Sequence, residues 1–495
     1  MIISHDLGTT GDKATLVSND GTLVAAVAAS YPTNFGPRGK AEQDAEHWWT
    51  GLCRATKSLL EHAAVRPENI DVVSFSGQMM GAVLLDAAGA PVRPAIIWAD
   101  TRSGAQCSTL VERVGMARGY AITGHRLNPT YSLSKIMWVR DQEEAVYRRA
   151  TAVLLAKDFV AYRLTGVIAT DPSDASSTNA YDQRTSSWSE ELIEAANLSP
   201  SLFPTIVPST AVVGRVTAAA AAQSGLLTGT PVVMGGGDGP MAALGAGIVG
   251  PESGAYAYLG SSSWVSVASR APLHDPAMRS MTFNHVIPEQ YVPTATMQAG
   301  GASLEWIIET LAPDPAEGYR RLLEQAADVV AAEDGLYFLP YLLGERSPYW
   351  NPAARAVFAG MGRHHGPAHL TRAVLEGIAF NLYACVLAFL ENGTSISTVD
   401  AIGGAARSDL LLQIFSDVWG LPVSRRNLVD EATAIGAAIV GGIGVGIFDG
   451  FDIAERFSHQ VATMDPDPER HERYLDEYRL FLDAYRRLKP WFDKI

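Results

Sequence analysis

The chain has 495 residues and a mass of 52.9 kDa, enough for two large domains or three ordinary ones that fold without disulfide or metal staples. Acidic residues outnumber basic ones, 53 to 38, giving a formal net charge of -15 and a pI near 5.2, which argues against a protein that grips the nucleic-acid backbone with clustered Lys and Arg. The composition, 47% apolar and 18% charged, is globular, and three widely spaced cysteines, Cys53, Cys107 and Cys385, form no metal or disulfide pattern and suit a reducing cytosol.

In chain order, residues 1–6 lack a basic segment and meet an acid at once, so no export signal is expected. Residues 2–4 read as a strand, Asp6-Leu7-Gly8-Thr9-Thr10-Gly11 as a glycine turn and residues 13–17 as the returning strand. Asn19-Asp20-Gly21 then turns the chain into residues 22–28, completing an antiparallel meander. Residues 45–62 follow as an amphipathic helix with Trp48, Trp49, Leu52, Leu59 and Leu60, and residues 70–76 and 82–85 as short strands. Strands followed by alternating helices and strands indicate α/β architecture. The opening pattern returns in mid-chain, where residues 254–259 are strand-like, Gly260-Ser261-Ser262-Ser263 turn and residues 264–268 return. A repeat at about half the chain length suggests two related domains facing one another, with residues 231–251 as the boundary; chance recurrence of a Gly-Ser turn would look the same. The longest uncharged stretch, residues 432–448, is too short and too rich in Gly and Ala for a membrane span and reads as a packed internal helix. Residues 466–495 carry Tyr474, Tyr478, Phe481, Leu482, Tyr485 and Leu488 at helical spacing and are expected to pack back as a terminal helix. A cytoplasmic protein with no membrane or nucleic-acid partner is expected.

Four places hold residues suited to chemistry. In the opening turn, Gly8 and Gly11 permit a tight bend with exposed peptide N–H groups, Thr9 and Thr10 add hydroxyls and Lys13 a cation, a combination that cradles phosphate. Asp6 beside such a turn calls for a metal, and Mg²⁺ carried with a nucleotide meets that need; an ordinary hairpin with an Asp turn former is the alternative. In Val232-Val233-Met234-Gly235-Gly236-Gly237-Asp238-Gly239, an apolar strand ends in three glycines and one carboxylate, so Asp238 is placed to act as general base toward a hydroxyl, or the segment is a flexible loop. In Ala401-Ile402-Gly403-Gly404-Ala405-Ala406-Arg407-Ser408, Gly403 and Gly404 would let an adenosine lie flat and Ser408 could hydrogen-bond it; a plain βα turn has the same form. Around Gly77-Gln78-Met79-Met80-Gly81 and Trp98-Ala99-Asp100-Thr101-Arg102, the side chains of Gln78, Asp100 and Arg102 suit sugar hydroxyls and Trp98 can stack on a sugar ring, while Met79, Met80 and Trp98 also read as core. No HExxH, GxSxG or strand-linked GxGxxG pattern occurs, which disfavours a zinc protease, a serine hydrolase and a Rossmann dehydrogenase.

In this order the four features resemble the FGGY family of carbohydrate kinases, within the actin-like ATPase superfamily, from residue 2 to about residue 450. The family's C-terminal signature is similar to Ala356-Val357-Phe358-Ala359-Gly360-Met361 and, after a seven-residue gap, His369-Leu370-Thr371-Arg372-Ala373-Val374-Leu375-Glu376-Gly377. Its N-terminal signature resembles Lys135-Ile136-Met137-Trp138-Val139-Arg140-Asp141-Gln142, with a departure upstream at Thr130, and residues 339–348 and 431–438 resemble further family blocks. The resemblance implies an α/β protein of two ribonuclease-H-like (actin/hexokinase-type) domains facing across a cleft, residues 1–250 binding sugar and residues 251–495 nucleotide. It implies transfer of phosphate from ATP, with Mg²⁺, to a primary hydroxyl of a small ketose. It assigns Asp6 to the metal, Gly8, Thr9, Thr10 and Lys13 to the first phosphate loop, and Gly260, Ser261 and Ser262 to the second. Gly403, Gly404 and Ser408 match the adenosine loop, and Asp238 the catalytic base. A homodimer is a family-level expectation. The segments holding Gln78 and residues 94–102 look most like xylulokinases, with Met80 where that subfamily commonly has His. Loss of one hydrogen-bonding partner can shift specificity by orders of magnitude. Besides xylulose, the open substrates are ribulose, another pentulose, a polyol and a sugar-like signal molecule; a catalytically silent sensor of the same fold is the reading from another class.

Overall fold

Two mixed sheets of seven strands each organise the chain, which the computed structural model describes over residues 1–427 and 430–495. The first sheet contains β1 (Ile2–Leu7), β2 (Gly11–Val17), β3 (Leu23–Ser30), β4 (Val72–Gly77), β5 (Val212–Arg215), β6 (Pro231–Val233) and β7 (Gly236–Gly237). Its order is β5-β6-β4-β1-β2-β3, with β7 also beside β4. The second contains β8 (Ala255–Leu259), β9 (Ser263–Val267), β10 (Met281–Asn284), β11 (Tyr291–Met297), β12 (Val399–Ile402), β13 (Val423–Arg426) and β14 (Gln460–Met464), in the order β10-β11-β9-β8-β12-β13-β14.

The two sheets repeat one plan. From β3 through β2, β1, β4 and β6 to β5, successive pairs are antiparallel, antiparallel, parallel, parallel and antiparallel. From β11 through β9, β8, β12 and β13 to β14 the sequence of pairings is the same. Central strands β1 and β4 are buried along almost their whole length, polar Ser4, His5, Ser74 and Ser76 included, whereas β3 at the edge alternates inward and outward residues. The opening meander and its mid-chain counterpart are thus corresponding hairpins, β1–β2 and β8–β9.

Helices cover both sheets. α1 (Ala45–His62) is capped by Asp44, which accepts from Glu46 N at 3.0 Å, and buries Trp48, Trp49, Leu52, Leu59 and Leu60 on the first sheet. α2 is Asp238–Gly245, α3 Gly301–Leu311, α4 Pro367–Leu390, α5 Asp409–Trp419, α6 Ala432–Gly444 and α7 Pro468–Phe492. α4 has a mean hydropathy of 1.9 and is long and apolar enough to cross a membrane, yet 89% of that window is buried inside the second lobe; a helix apolar all round is a core helix there. α7 packs back as the sequence suggests, burying Tyr478, Phe481, Tyr485 and Phe492, with Tyr478 and Phe481 against Phe380 of α4. Cys53, Cys107 and Cys385 are buried and unpaired.

Two helices cross between the lobes. α2 packs Ala242, Ala243 and Ala246 against Tyr256, Val292 and Ile402 of the second sheet. α6 packs Ile435, Ile439 and Val440 against Ile2, Val72 and Val233 of the first. Small residues let α2 and α6 meet closely: a Cβ at Gly245 would fall on the Ala432 carbonyl, and one at Gly436 on the Met241 carbonyl. The cleft opens beside this seam.

Candidate active site

The cleft between the lobes has a volume of about 610 Å³ and is reached by both hairpin turns, through Gly8, Thr9 and Thr10 on one side and Ser261 and Ser262 on the other. The turns are oriented by what holds their carbonyls. Gly8 O accepts from Tyr31 Oη (2.6 Å) and Gln78 Nε2 (3.3 Å), and Thr9 O from Gln43 Nε2 (2.6 Å) and Thr33 Oγ1 (2.9 Å). In a trans peptide the N–H points opposite to the C=O. The N–H groups of Thr9 and Thr10 therefore point away from those donors, toward the cleft. In the second turn, Gly260 O accepts from Gly301 N (2.8 Å) and Ser261 O from Ala302 N (3.1 Å), which turns the N–H groups of Ser261 and Ser262 to the cleft in the same way. Each turn is a nest for an anion.

Asp238 lies between them, as the first residue of α2 and part of the cleft wall. The three preceding glycines serve close packing. Gly235 has φ 72°, a left-handed backbone that suits glycine, and a Cβ at Gly237 would lie 2.6 Å from Met79. Behind the carboxylate, Gly237 N donates to Ser173 Oγ (2.9 Å), which donates to Asp171 Oδ2 (2.5 Å). Lys157, buried with no exposure, pairs with Asp158, Asp171 and Asp174 at 2.6, 3.0 and 3.2 Å. The strand end that carries the base is therefore fixed from the interior. Asp238 Oδ1 accepts from Gly239 N at 2.8 Å. Burial, and after it the negative charge of Asp6, push the Asp238 carboxyl up to about 7. Such a group exchanges protons near neutrality, which a general base requires.

Asp6, at the end of β1, also lines the cleft. Burial raises its pKa against hydrogen bonds from Thr433, whose Oγ1 donates to Oδ2 at 2.6 Å, and from Ser76. Two carboxylates that repel each other in one cleft form a hard oxygen donor set, and this fits Mg²⁺. Lys13 does not line the cleft; its Nζ donates to Asp430 O (2.8 Å) and Glu431 Oε1 (3.2 Å).

The remaining candidates divide. Gly403 and Gly404 line the cleft at the end of β12. Gly403 has φ 89°, and a Cβ there would lie 2.8 Å from Leu259 O, whereas a Cβ at Gly404 would meet nothing within 4 Å. Ser408 lies outside the lining and caps α5, accepting from Leu411 N at 3.3 Å. Met79, Met80 and Trp98 line the cleft, and Trp98 Nε1 donates to Thr9 Oγ1 at 2.8 Å. Met80 has φ 63°, and its peptide is held on both sides, N–H by Ser177 Oγ (3.2 Å) and C=O by Lys135 Nζ (2.8 Å). Gln78, Asp100 and Arg102 are not brought to the cleft wall. Gln78 Nε2 donates to Gln43 Oε1 (2.8 Å) as well as to the first turn. Asp100 is fully buried, accepts from Ala41 N (2.6 Å) and is forked by Arg102, which also pairs with Glu42 at 2.8 Å.

The structure adds residues that local sequence patterns did not single out: Tyr258 and Trp264, stacked with centroids 4.1 Å apart, Met281, Phe283, Gln298, Arg346 and Thr433. Arg346 and Thr433 fall within the two family-like blocks at 339–348 and 431–438, the one signal that pointed their way.

Comparison with known proteins places the chain in a family. Residues 1–245 match the N-terminal domain, and residues 255–445 the C-terminal domain, of the FGGY family of carbohydrate kinases. The chain is 32% identical over 489 residues to a xylulose kinase of Bacillus subtilis, covering 99% of this chain and 97% of that protein. It is 29% identical over 505 residues to a gluconokinase of the same species, covering 100% and 97%. The crystal structure of xylulose kinase from Rhodospirillum rubrum superimposes with a TM-score of 0.91 at 32% identity, over 99% of both chains. The chain belongs to the FGGY family of carbohydrate kinases.

Proposed function

We propose that ATP lies across the two turns and that its γ-phosphoryl group passes to a primary hydroxyl of a small ketose, xylulose first, with residues 1–250 supplying most of the acceptor pocket and residues 251–495 most of the nucleotide site. The observation that carries this reading is Asp238 in a cleft that both turns reach, its carboxyl pushed toward neutrality by burial and by Asp6. Asp238 accepts the hydroxyl proton as the substrate oxygen bonds to the γ-phosphorus; the bond from that phosphorus to the β–γ bridging oxygen breaks and ADP departs. The transition state of such transfers is loose, so positioning and charge neutralisation outweigh proton abstraction. Peptide N–H groups of Thr9, Thr10, Ser261 and Ser262 meet the phosphate oxygens, and the open space above Gly404 accommodates the adenosine. Mg²⁺, held by Asp6 directly or through water, supplies neutralisation of the β- and γ-phosphate charge when bound. Lobe closure about the α2–α6 seam excludes water and suppresses idle hydrolysis.

The names of the relatives support a ketose, and Met80 separates this chain from the usual xylulokinase pattern, because a thioether cannot donate the hydrogen bond that His would. A coupled ADP-release assay with ketoses, polyols and gluconate tests the reading: a ketose is expected as best acceptor. ADP release with none of them would instead fit a silent sensor. His tolerates positive φ better than most residues, so Met80→His is expected to fold and to move selectivity toward xylulose in the same assay.

A further inference from the structure

Three acids, Asp6, Asp238 and Asp430, line the cleft, and Arg346 is the one cationic side chain among the described residues of that lining. It belongs to the second lobe: Ser347 N donates to Thr296 O of β11 at 2.9 Å, and Glu345 exchanges backbone hydrogen bonds with Asn351 at 2.9 Å, which fixes the loop. The neighbouring Glu345 carboxylate does not serve the guanidinium. Its Oε1 accepts from Gln298 N and Arg346 N, both at 2.7 Å, and its Oε2 from Asn381 Nδ2 at 2.8 Å. Arg346 instead lies over the Trp98 ring of the first lobe, 5.5 Å from its centroid. Gln298 also lines the cleft, and its Oε1 is buried without a protein partner. Two polar side chains of the second lobe are therefore left for a ligand.

Their position along the pocket follows from what lies between. Met79 abuts Gly237, next to Asp238. It belongs to one apolar cluster with Met80, Tyr131, Met281 and Phe283, flanked by Trp98 and Trp350. At the other flank of that cluster, the Trp98 ring lies under the Arg346 guanidinium. The apolar wall thus runs from the base at one end to the guanidinium at the other. A part-buried guanidinium that Glu345 does not hydrogen-bond is costly until an electron-rich oxygen meets it.

We infer that Arg346, assisted by Gln298, is the specificity-determining residue for the end of the acceptor opposite the phosphorylated hydroxyl, where it binds an electron-rich oxygen: the carbonyl of a ketose or the carboxylate of a sugar acid. This rests on the kinase reading above and adds that polyols, which offer only hydroxyls there, gain little from Arg346. It also makes acceptor binding a bridge between lobes, since Trp98 and Arg346 come from opposite sides.

The test uses the full-length protein, wild type, Arg346→Gln and Arg346→Lys, with xylulose, gluconate and xylitol as acceptors, and thermal melts to confirm folding. Arg346→Gln is expected to raise KM for xylulose or gluconate by roughly 10- to 100-fold, the range for a lost hydrogen bond to a charged group. KM for xylitol should move far less than KM for xylulose or gluconate, and Arg346→Lys, which keeps the charge and loses the fork, should fall between. A loss confined to gluconate identifies the carboxylate, and one confined to xylulose the carbonyl. KM values unmoved for both xylulose and gluconate, or a xylitol KM that rises equally, overturn the inference. Calorimetric titration of each acceptor without ATP separates it from the kinase reading. Arg346-dependent binding of xylulose or gluconate in a protein that releases no ADP would sustain the inference while the proposed reaction fails; no binding to wild type would overturn it.

Discussion

The two phosphate turns have the same outline and different supports. The β1–β2 turn is held by side chains scattered through the first lobe, Tyr31, Thr33, Gln43 and Gln78. The β8–β9 turn is held chiefly by backbone, the N–H groups of Gly301 and Ala302 at the start of α3, with Ser263 Oγ from the turn itself adding a 3.3 Å bond to Gly260 O. The hairpin and its place in the sheet recur, while the means of aiming its N–H groups differ. Side-chain supports can be removed one at a time, at the modest cost of single hydrogen bonds. A backbone support survives any side-chain deletion but tolerates no added bulk, because a Cβ at Gly301 would stand 2.5 Å from Gly260 O.

This contrast yields graded expectations. The largest effect belongs to the residue between the turns. Asp238→Asn should fold and bind ATP yet lose on the order of 10²- to 10⁴-fold in turnover; near-normal kcat would remove Asp238 from the mechanism. In wild type, kcat/KM should fall tenfold per unit below about pH 7 as Asp238 takes a proton. Stability runs the other way. The folded pKa lies above the unfolded value near 3.8, so ionising Asp238 weakens the fold progressively as pH rises from 4 to 7. That cost reaches at most about 4 kcal/mol above pH 7. Asp238→Asn should therefore melt higher than wild type at pH 8, with the gap closing by pH 4, a result calorimetry can check.

Next in size, Gly301→Ala should push the second turn off α3 and cost roughly 100-fold in kcat/KM for ATP, on the scale of a lost oxyanion-type donor. An unchanged value would mean the turn is not held as described. Gln43→Ala removes a single support of the first turn and should cost about tenfold in the same constant, since one hydrogen bond is worth about 1–1.5 kcal/mol. Gln78→Ala sharpens the point: as a support of the turn it should move the ATP constant by a few-fold and leave acceptor KM alone, whereas a sugar ligand would do the reverse. The smallest effect is expected at the nucleotide end. The Cβ of Gly404→Ala meets nothing within 4 Å, so this variant should raise KM for ATP a few-fold with an unchanged melting temperature, while Gly403→Ala, at φ 89°, should destabilise the fold.

Much of this was legible where the determinants are local. A strand, a glycine–hydroxyl turn and a returning strand are contiguous, so both hairpins and the amphipathic helix at residues 45–62 could be read from short windows. The glycine-rich approach to Asp238 was visible for the same reason. Asp100 and Arg102 show the opposite situation. Their side chains suit a sugar, but only the fold reveals that Glu42 and the Ala41 amide stand beside them and take up their hydrogen bonds. Lys13 is similar, since its acceptors at Asp430 and Glu431 lie more than four hundred residues away in sequence. Arg346 and Gln298 reach the cleft from irregular segments of the other lobe, a placement that no periodicity records.

The crossing of α2 and α6 carries one more consequence. Each half of the chain ends by lending a helix to the other half's sheet, so neither half is a self-contained module. A fragment cut near residue 250 would leave α2 without the sheet it covers and the first sheet without α6, exposing the apolar surfaces of both. Natural shuffling of acceptor specificity by exchanging whole halves is correspondingly obstructed, and new specificities in this architecture are left to arise by substitution within the cleft.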